Sequence, residues 1–143
     1  MELEGKIWKD GKFWLIEVPS IDVYTQGKTK KEALMMIEDA IVELIIEYFP
    51  STHRNDFKLE IIDHKKTILG ISCSNNNLML SLSLIRQREL SKSTVRDVAE
   101  RMGSKSPNAY AQYEKGKMSI TVDQYERLLM ATNPQNHPSL RIG

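Results

Sequence analysis

The sequence is poor in the groups that staple or functionalise small proteins. It holds one cysteine, Cys73, among 143 residues, so no disulfide can form within the chain, which fits a reducing compartment. Three histidines, His53, His64 and His137, stand far apart without ligand spacing, and neither a metal site nor a cofactor is expected. No apolar run reaches the ~20 residues that a bilayer crossing needs. The opening MELEGK lacks the basic-then-apolar order of a signal peptide. The expectation is a cytoplasmic protein with no membrane partner.

Charge of one sign is also scarce overall, with a formal balance of +1, but the balance hides an asymmetry. Residues 1–77 carry 10 Lys/Arg against 13 Asp/Glu, whereas residues 78–143 carry 10 against 6. An acidic front and a basic back suggest two parts with different partners. The length suits one medium domain or two small ones.

The front reads as a small αβ module. In IWKDGKFWLIEVP two β-prone runs flank Asp10-Gly11, a hairpin signal because the turn needs positive φ. Pro19 ends the second run by removing a ladder donor. A short strand at residues 23–25 follows, and Gly27 marks a bend. Thr29 and Glu32 have capping-box spacing and open a helix expected over residues 30–49, with Pro50 just beyond. Ala33, Leu34, Ile37, Ala40, Ile41, Leu44, Ile45 and Tyr48 form one apolar face at helical spacing. Residues 57–62, FKLEII, alternate as a strand, and residues 67–74, TILGISCS, are a further strand candidate.

The same helix has a second apolar side. Met35, Val42, Ile46 and Phe49 cluster opposite the first face, flanked by Glu38 and Asp39. Two apolar sides imply two neighbours. The second is either the protein's own C-terminal part or a partner chain, and as a partner surface the stripe suits a basic protein first and a second copy next. Catalysis is not expected: Asp10, Glu17, Asp22, Asp39 and Glu60 lack the convergent spacing of a two-metal hydrolase and read as solvated carboxylates.

The strand-strand-strand-helix-strand order, with VPSIDVYTQGKTKKEAL joining sheet to helix, resembles the N-terminal domain of HicB antitoxins over residues 3–62. Its most specific residues are Gly27, Thr29 and Glu32-Ala33. The resemblance implies a truncated RNase H-like fold without nuclease activity. The chain departs from the family at the turn after the second strand, where a Pro-Asp-Leu-Pro-Gly-Cys-like stretch is replaced by Pro19-Ser-Ile-Asp-Val-Tyr24.

Asn75-Asn76-Asn77 is a polar break, and it divides a module over residues 1–74 from a second over 78–131. In LMLSLSLIRQREL, residues 78–90, leucines alternate with serines like a strand, yet Leu78, Leu82 and Ile85 and the charged end fit a helix, which is the reading adopted. Thr94 with Asp97 opens the next helix, with Val95, Val98, Ala99 and Met102 inward, and Gly103 stops it. Ser106-Pro107 opens another, which Gly116 stops. Thr121 with Gln124 opens the last, whose stripe is Val122, Tyr125, Leu128 and Leu129. Two short helices joined by a tight turn make a helix-turn-helix. The tail, residues 132–143, is expected to be loose, with Arg141 a phosphate contact at most.

The run TVRDVAERMGSKSPNAYAQYEKGK resembles the lambda-repressor-like family, especially the variant that ends HicB antitoxins, over residues 80–131. Ala99, Gly103, Tyr110, Tyr113, Glu114 and Gly116 correspond to its structural positions. One extra residue stands between Gly103 and the recognition helix. With Tyr110 and Tyr113 inward, the outward set is Lys105, Ser106, Asn108, Ala109, Ala111 and Gln112. Asn108 and Gln112 suit adenine, and Ala109 or Ala111 suits a thymine methyl. Lys105, Lys115 and Lys117 suit phosphates.

The resemblances together imply an α+β antitoxin that binds a HicA-type RNA-cleaving toxin, associates with itself as a dimer or tetramer, and represses its own operon on double-stranded operator DNA. No small-molecule substrate is expected. The rival is a regulator whose N-terminal module senses a small molecule.

Overall fold

The computed structural model describes residues 1–139, so Arg141 lies outside the described residues. The first part is a single antiparallel sheet and one long helix. Strands β1 (Leu3–Asp10), β2 (Phe13–Val18) and β3 (Val23–Gly27) precede helix α1 (Lys30–Tyr48), and β4 (Leu59–Asp63) and β5 (Ile68–Cys73) follow it. The spatial order is β3-β2-β1-β5-β4. Two strands therefore follow the helix where the expected order has one. β5 inserts between β1 and β4, pairing Leu3 with Ile71 and Gly5 with Leu69. Its central place explains the weak signal: Leu69, Gly70 and Ile71 are all buried, so the strand does not alternate.

The local signals act close to where the sequence puts them. Asp10 pairs with Phe13, so the hairpin loop is Gly11-Lys12, one residue later than expected. Gly11 has φ +59°, the positive value that a II′ turn needs at its first position. Glu32 N–H donates to Thr29 Oγ1 at 3.0 Å, but the Glu32 carboxylate accepts from Lys28 N–H rather than from Thr29. At Gly27 the strand passes so near α1 that a Cβ would sit 2.6 Å from Ala33 N, which only glycine tolerates.

The first face of α1 packs as its periodicity requires. Ala33, Ile37, Ile41 and Ile45 are fully buried against Ile7, Ile16, Leu69 and Ile71. Each isoleucine contributes about 1.5–3 kcal/mol of burial. The second face is a correction. Val42 and Phe49 are buried within the chain, in one cluster with Leu78, Leu82 and Ile85. Ile46 is half-buried, and Met35, Glu38 and Asp39 are exposed. The neighbour on that side is the chain's own next helix, so the stripe is not a free surface at its centre.

That helix, α2 (Asn76–Leu90), is buried almost all round. Leu78, Met79, Leu82 and Ile85 belong to the sheet-helix core, whereas Leu84 belongs to a second core with Val98, Ala99, Tyr110, Leu128 and Ala131. A helix sandwiched between two layers has no polar face, which is why its pattern reads ambiguously. Helices α3 (Val95–Arg101), α4 (Asn108–Tyr113) and α5 (Val122–Thr132) pack on its far side. The tail is not loose at its start. Asn133 and Asn136 each donate from Nδ2 to Gln87 Oε1 at 3.2 Å.

Candidate nucleic-acid interface

The turn between α3 and α4 is set by caps and one glycine. Thr94 Oγ1 accepts from Asp97 N–H at 3.0 Å, and Asp97 Oδ2 accepts from Thr94 N–H at 2.8 Å. These bonds hold the Asp97 carboxyl below its usual range. At the far end Gly103 has φ +78°. Ser104 N–H bonds Ala99 O and Gly103 N–H bonds Glu100 O, both at 2.9 Å, the paired closure that ends a helix at a left-handed residue. Ser106 Oγ accepts from Asn108 N–H at 3.2 Å. Pro107 is already helical, with φ −71° and ψ −14°, so serine caps and proline opens α4, as the sequence suggests.

Helix α4 is anchored from beneath. Tyr110 is buried beside the Arg88–Glu114 pair, and burial pushes its phenol far above the ordinary range. Arg88 grips Glu114 through two bonds, Nε–Oε2 at 2.7 Å and Nη2–Oε1 at 2.9 Å. This fork-to-carboxylate geometry fixes orientation as well as distance, and the bond to Glu114 raises the guanidinium further. Ser81 Oγ donates to Tyr113 O at 2.6 Å and accepts from Gly116 N–H at 3.1 Å. Gly116 has φ +75°, and a Cβ there would meet Leu78 Cδ2 at 2.9 Å and Phe49 Cε1 at 3.1 Å. The end of the sheet module's helix thus touches the end of α4.

What remains outside is the set named from the sequence. Lys105, Ser106, Asn108, Ala109, Gln112, Lys115 and Lys117 are all exposed, while Ala111 is half-buried. No hydrogen bond or ion pair within the described residues occupies the side chains of Lys105, Asn108, Gln112, Lys115 or Lys117. Their donors and acceptors are free for a ligand. The arrangement offers two carboxamides and a methyl on one short helix, with ammonium groups before and after it. That is the donor set for base edges flanked by phosphates.

Other expectations need correction. Val122 is 73% exposed, at the first position of α5, and is no part of its inner stripe. The Arg86-Gln87-Arg88 run, read as a charged helix end, is an anchor. Arg86 Nε donates to Ile21 O at 2.9 Å and Gln87 Nε2 to Pro19 O at 2.9 Å. No spacing rule flags these two contacts, because Ile21 and Pro19 lie more than 60 positions away. The two serines of α2 are likewise contacts: Ser83 Oγ meets Tyr125 OH at 2.6 Å.

Among the described residues no helix is long and apolar enough to cross a membrane. A family model described as helix-turn-helix matches residues 84–133. The match begins inside α2 and takes in α3, α4 and α5, so it covers the second core and the exposed set on α4. A match of this kind marks a DNA-binding transcription regulator and implies double-stranded DNA as ligand. A search of curated proteins found no significant match to the chain.

Proposed function

We propose that the chain is an antitoxin that doubles as the repressor of its own operon, reading operator DNA with α4 and neutralising a HicA-type RNA-cleaving toxin with its sheet module. The observation that carries the DNA half is the division of α4, with Tyr110 buried and Asn108, Ala109 and Gln112 uncommitted in solvent. A two-fold dimer would read half-sites about 34 Å, one helical turn, apart. The toxin half is supported by the resemblance of residues 3–62 to HicB antitoxins and by the acidic balance of the front part. With Val42 and Phe49 buried, the surface left for the toxin is the groove between α1 and the edge strand β4. It has a volume of about 600 Å³, and Leu34, Met35, Glu38, Glu60 and Ile61 line it.

The DNA half is tested by anisotropy titrations on the upstream region and on random duplex. Gln112→Ala should weaken specific binding by about 1–3 kcal/mol, the worth of a two-bond base contact, and spare random DNA. Lys117→Ala should weaken both and flatten the salt dependence. Equal losses on both duplexes for Gln112→Ala would remove it from the base-reading set. For the toxin half, Met35→Glu with Glu38→Lys should abolish co-purification with a co-expressed HicA-type toxin and leave DNA binding intact. Unchanged co-purification would move the toxin elsewhere.

A further inference from the structure

A cleft of about 370 Å³ opens at the end of the sheet where α1 begins, far in sequence from the helix-turn-helix. Lys9 and Trp14 are cross-strand partners on β1 and β2. Lys30, the first residue of α1, and Lys65, Lys66 and Thr67, from the β4–β5 loop, complete the wall with Asp63. Both tryptophans of the chain, Trp8 and Trp14, line it.

The charge of this lining is one-sided. Asp63 is its one carboxylate, and it is already committed. It accepts from Lys30 Nζ at 2.8 Å and from Lys65 N–H at 2.8 Å, bonds that hold it below the usual carboxyl range. Lys9, Lys65 and Lys66 have no other carboxylate in the cleft. The ammonium groups of Lys9 and Lys30 stand 6.0 and 5.9 Å from the centre of the Trp14 ring, so cations and an aromatic surface share one space.

The loop is held in an unusual shape. Lys65, Lys66 and Thr67 have φ of +68°, +51° and +70°, three successive left-handed residues with a Cβ, a conformation glycine adopts freely and these do not. The loop is pinned at both ends, by His64 N–H to Ile68 O and by Ile7 N–H to Thr67 O, each at 3.0 Å. Among the described residues the N–H groups of Lys66 and Thr67 have no acceptor. Such strain persists where the surroundings enforce it, and it concentrates at ligand clamps.

We propose that this cleft is a binding site for a nucleotide, with the phosphate taken by Lys9, Lys65 and Lys66 and the base laid against Trp14. Stacking on an aromatic ring flanked by cations is how proteins hold unpaired bases without reading their sequence. The ligand is a free nucleotide or the same unit within single-stranded RNA. The site does not depend on the toxin or operator reading, and it gives the small-molecule-sensing rival a physical location.

Because Trp8 and Trp14 are the chain's two tryptophans and both border the cleft, tryptophan fluorescence reports binding there. The full chain is titrated with adenosine monophosphate, with inorganic phosphate and with an eight-nucleotide oligoadenylate, and each titration is repeated on Lys9→Glu/Lys66→Glu and on Lys12→Glu. Lys12 lies in the neighbouring turn and does not line the cleft, so it controls for charge. The expected result is saturable quenching by the nucleotide, weakened about tenfold or more in the double variant and unchanged in Lys12→Glu. Tighter binding of the oligonucleotide assigns the site to RNA, and equal binding assigns it to free nucleotide. Both support the proposal. Inorganic phosphate binding as well as the nucleotide overturns the role of Trp14. Absent quenching, or equal weakening in Lys12→Glu, overturns the site. Circular dichroism of each variant separates loss of binding from loss of fold.

Discussion

The two regions of this chain are held together by different physics. The sheet-helix region buries twenty residues in one apolar cluster, whereas the helix-turn-helix region buries six. The first therefore owes its shape mainly to burial. The second relies on caps, two left-handed glycines, the Arg88–Glu114 fork and two buried serines. A small core with precise polar fastenings tolerates enlargement badly and tolerates loss of a hydrogen bond little better. The lesson is that α4 takes its position from α2, which the larger region holds.

The comparison is most severely tested at the surface between the regions. Val42→Glu would place an unpaired charge at a position 8% exposed, between α1 and α2. It should destabilise by about 3–5 kcal/mol and lower the urea midpoint of sheet and helix signals alike. A folded variant with wild-type stability would show that α1 and α2 separate freely. Gly116→Ala comes next. It forces a left-handed Ala against Leu78 and Phe49, at a cost of about 2–4 kcal/mol. DNA affinity should fall further than stability alone explains, because α4 must move. A shift under half a kilocalorie in the denaturation midpoint would contradict the close contact.

Ser81→Ala sharpens the contrast from the polar side. It leaves Gly116 N–H buried without its acceptor and should cost about 1–3 kcal/mol. Ser81→Cys, which keeps a weak acceptor, should lose less in the same chemical denaturation series. If the two variants match, packing and not hydrogen bonding seats α4.

The smallest effect concerns acid. Asp97 titrates lower in the folded chain than when unfolded, because Thr94 donates to it. Its stabilisation is therefore present above the ordinary carboxyl range and is lost as pH falls through the folded value. Asp63 behaves alike in the sheet, through Lys30 and Lys65. Stability measured from about pH 7 down to about pH 3 should drop less steeply in Asp97→Asn than in the parent chain. An unchanged slope would assign the acid loss to Asp63 and its neighbours.

These differences also decide what the sequence displays. Signals confined to one turn of chain are legible: the caps at Thr29, Thr94 and Thr121, the stops at Gly103 and Gly116, and the exposed set on α4. Each needs only residues three or four apart. The strand β5 is harder to read, because burial on both sides erases alternation. The neighbour of Val42 and Phe49 is harder still. Periodicity shows that a second apolar side exists on α1, but what covers it lies some thirty residues on. Arg86, Gln87 and Arg88 look like surface charge for the same reason, since a contact to Ile21, Pro19 or Glu114 leaves no local trace.

Helix α2 makes any cut through this protein a poor one. The family match begins at residue 84, yet Leu78, Met79 and Leu82 precede it on the same helix. A fragment starting at the match loses the half of α2 that carries Ser81 and Ser83, and with it the seat of α4. A fragment starting at residue 76 keeps that seat but bares an oily stripe that water does not tolerate. Transplanting the reading head onto another protein would thus require either a matching surface to receive that stripe or its redesign into a polar one.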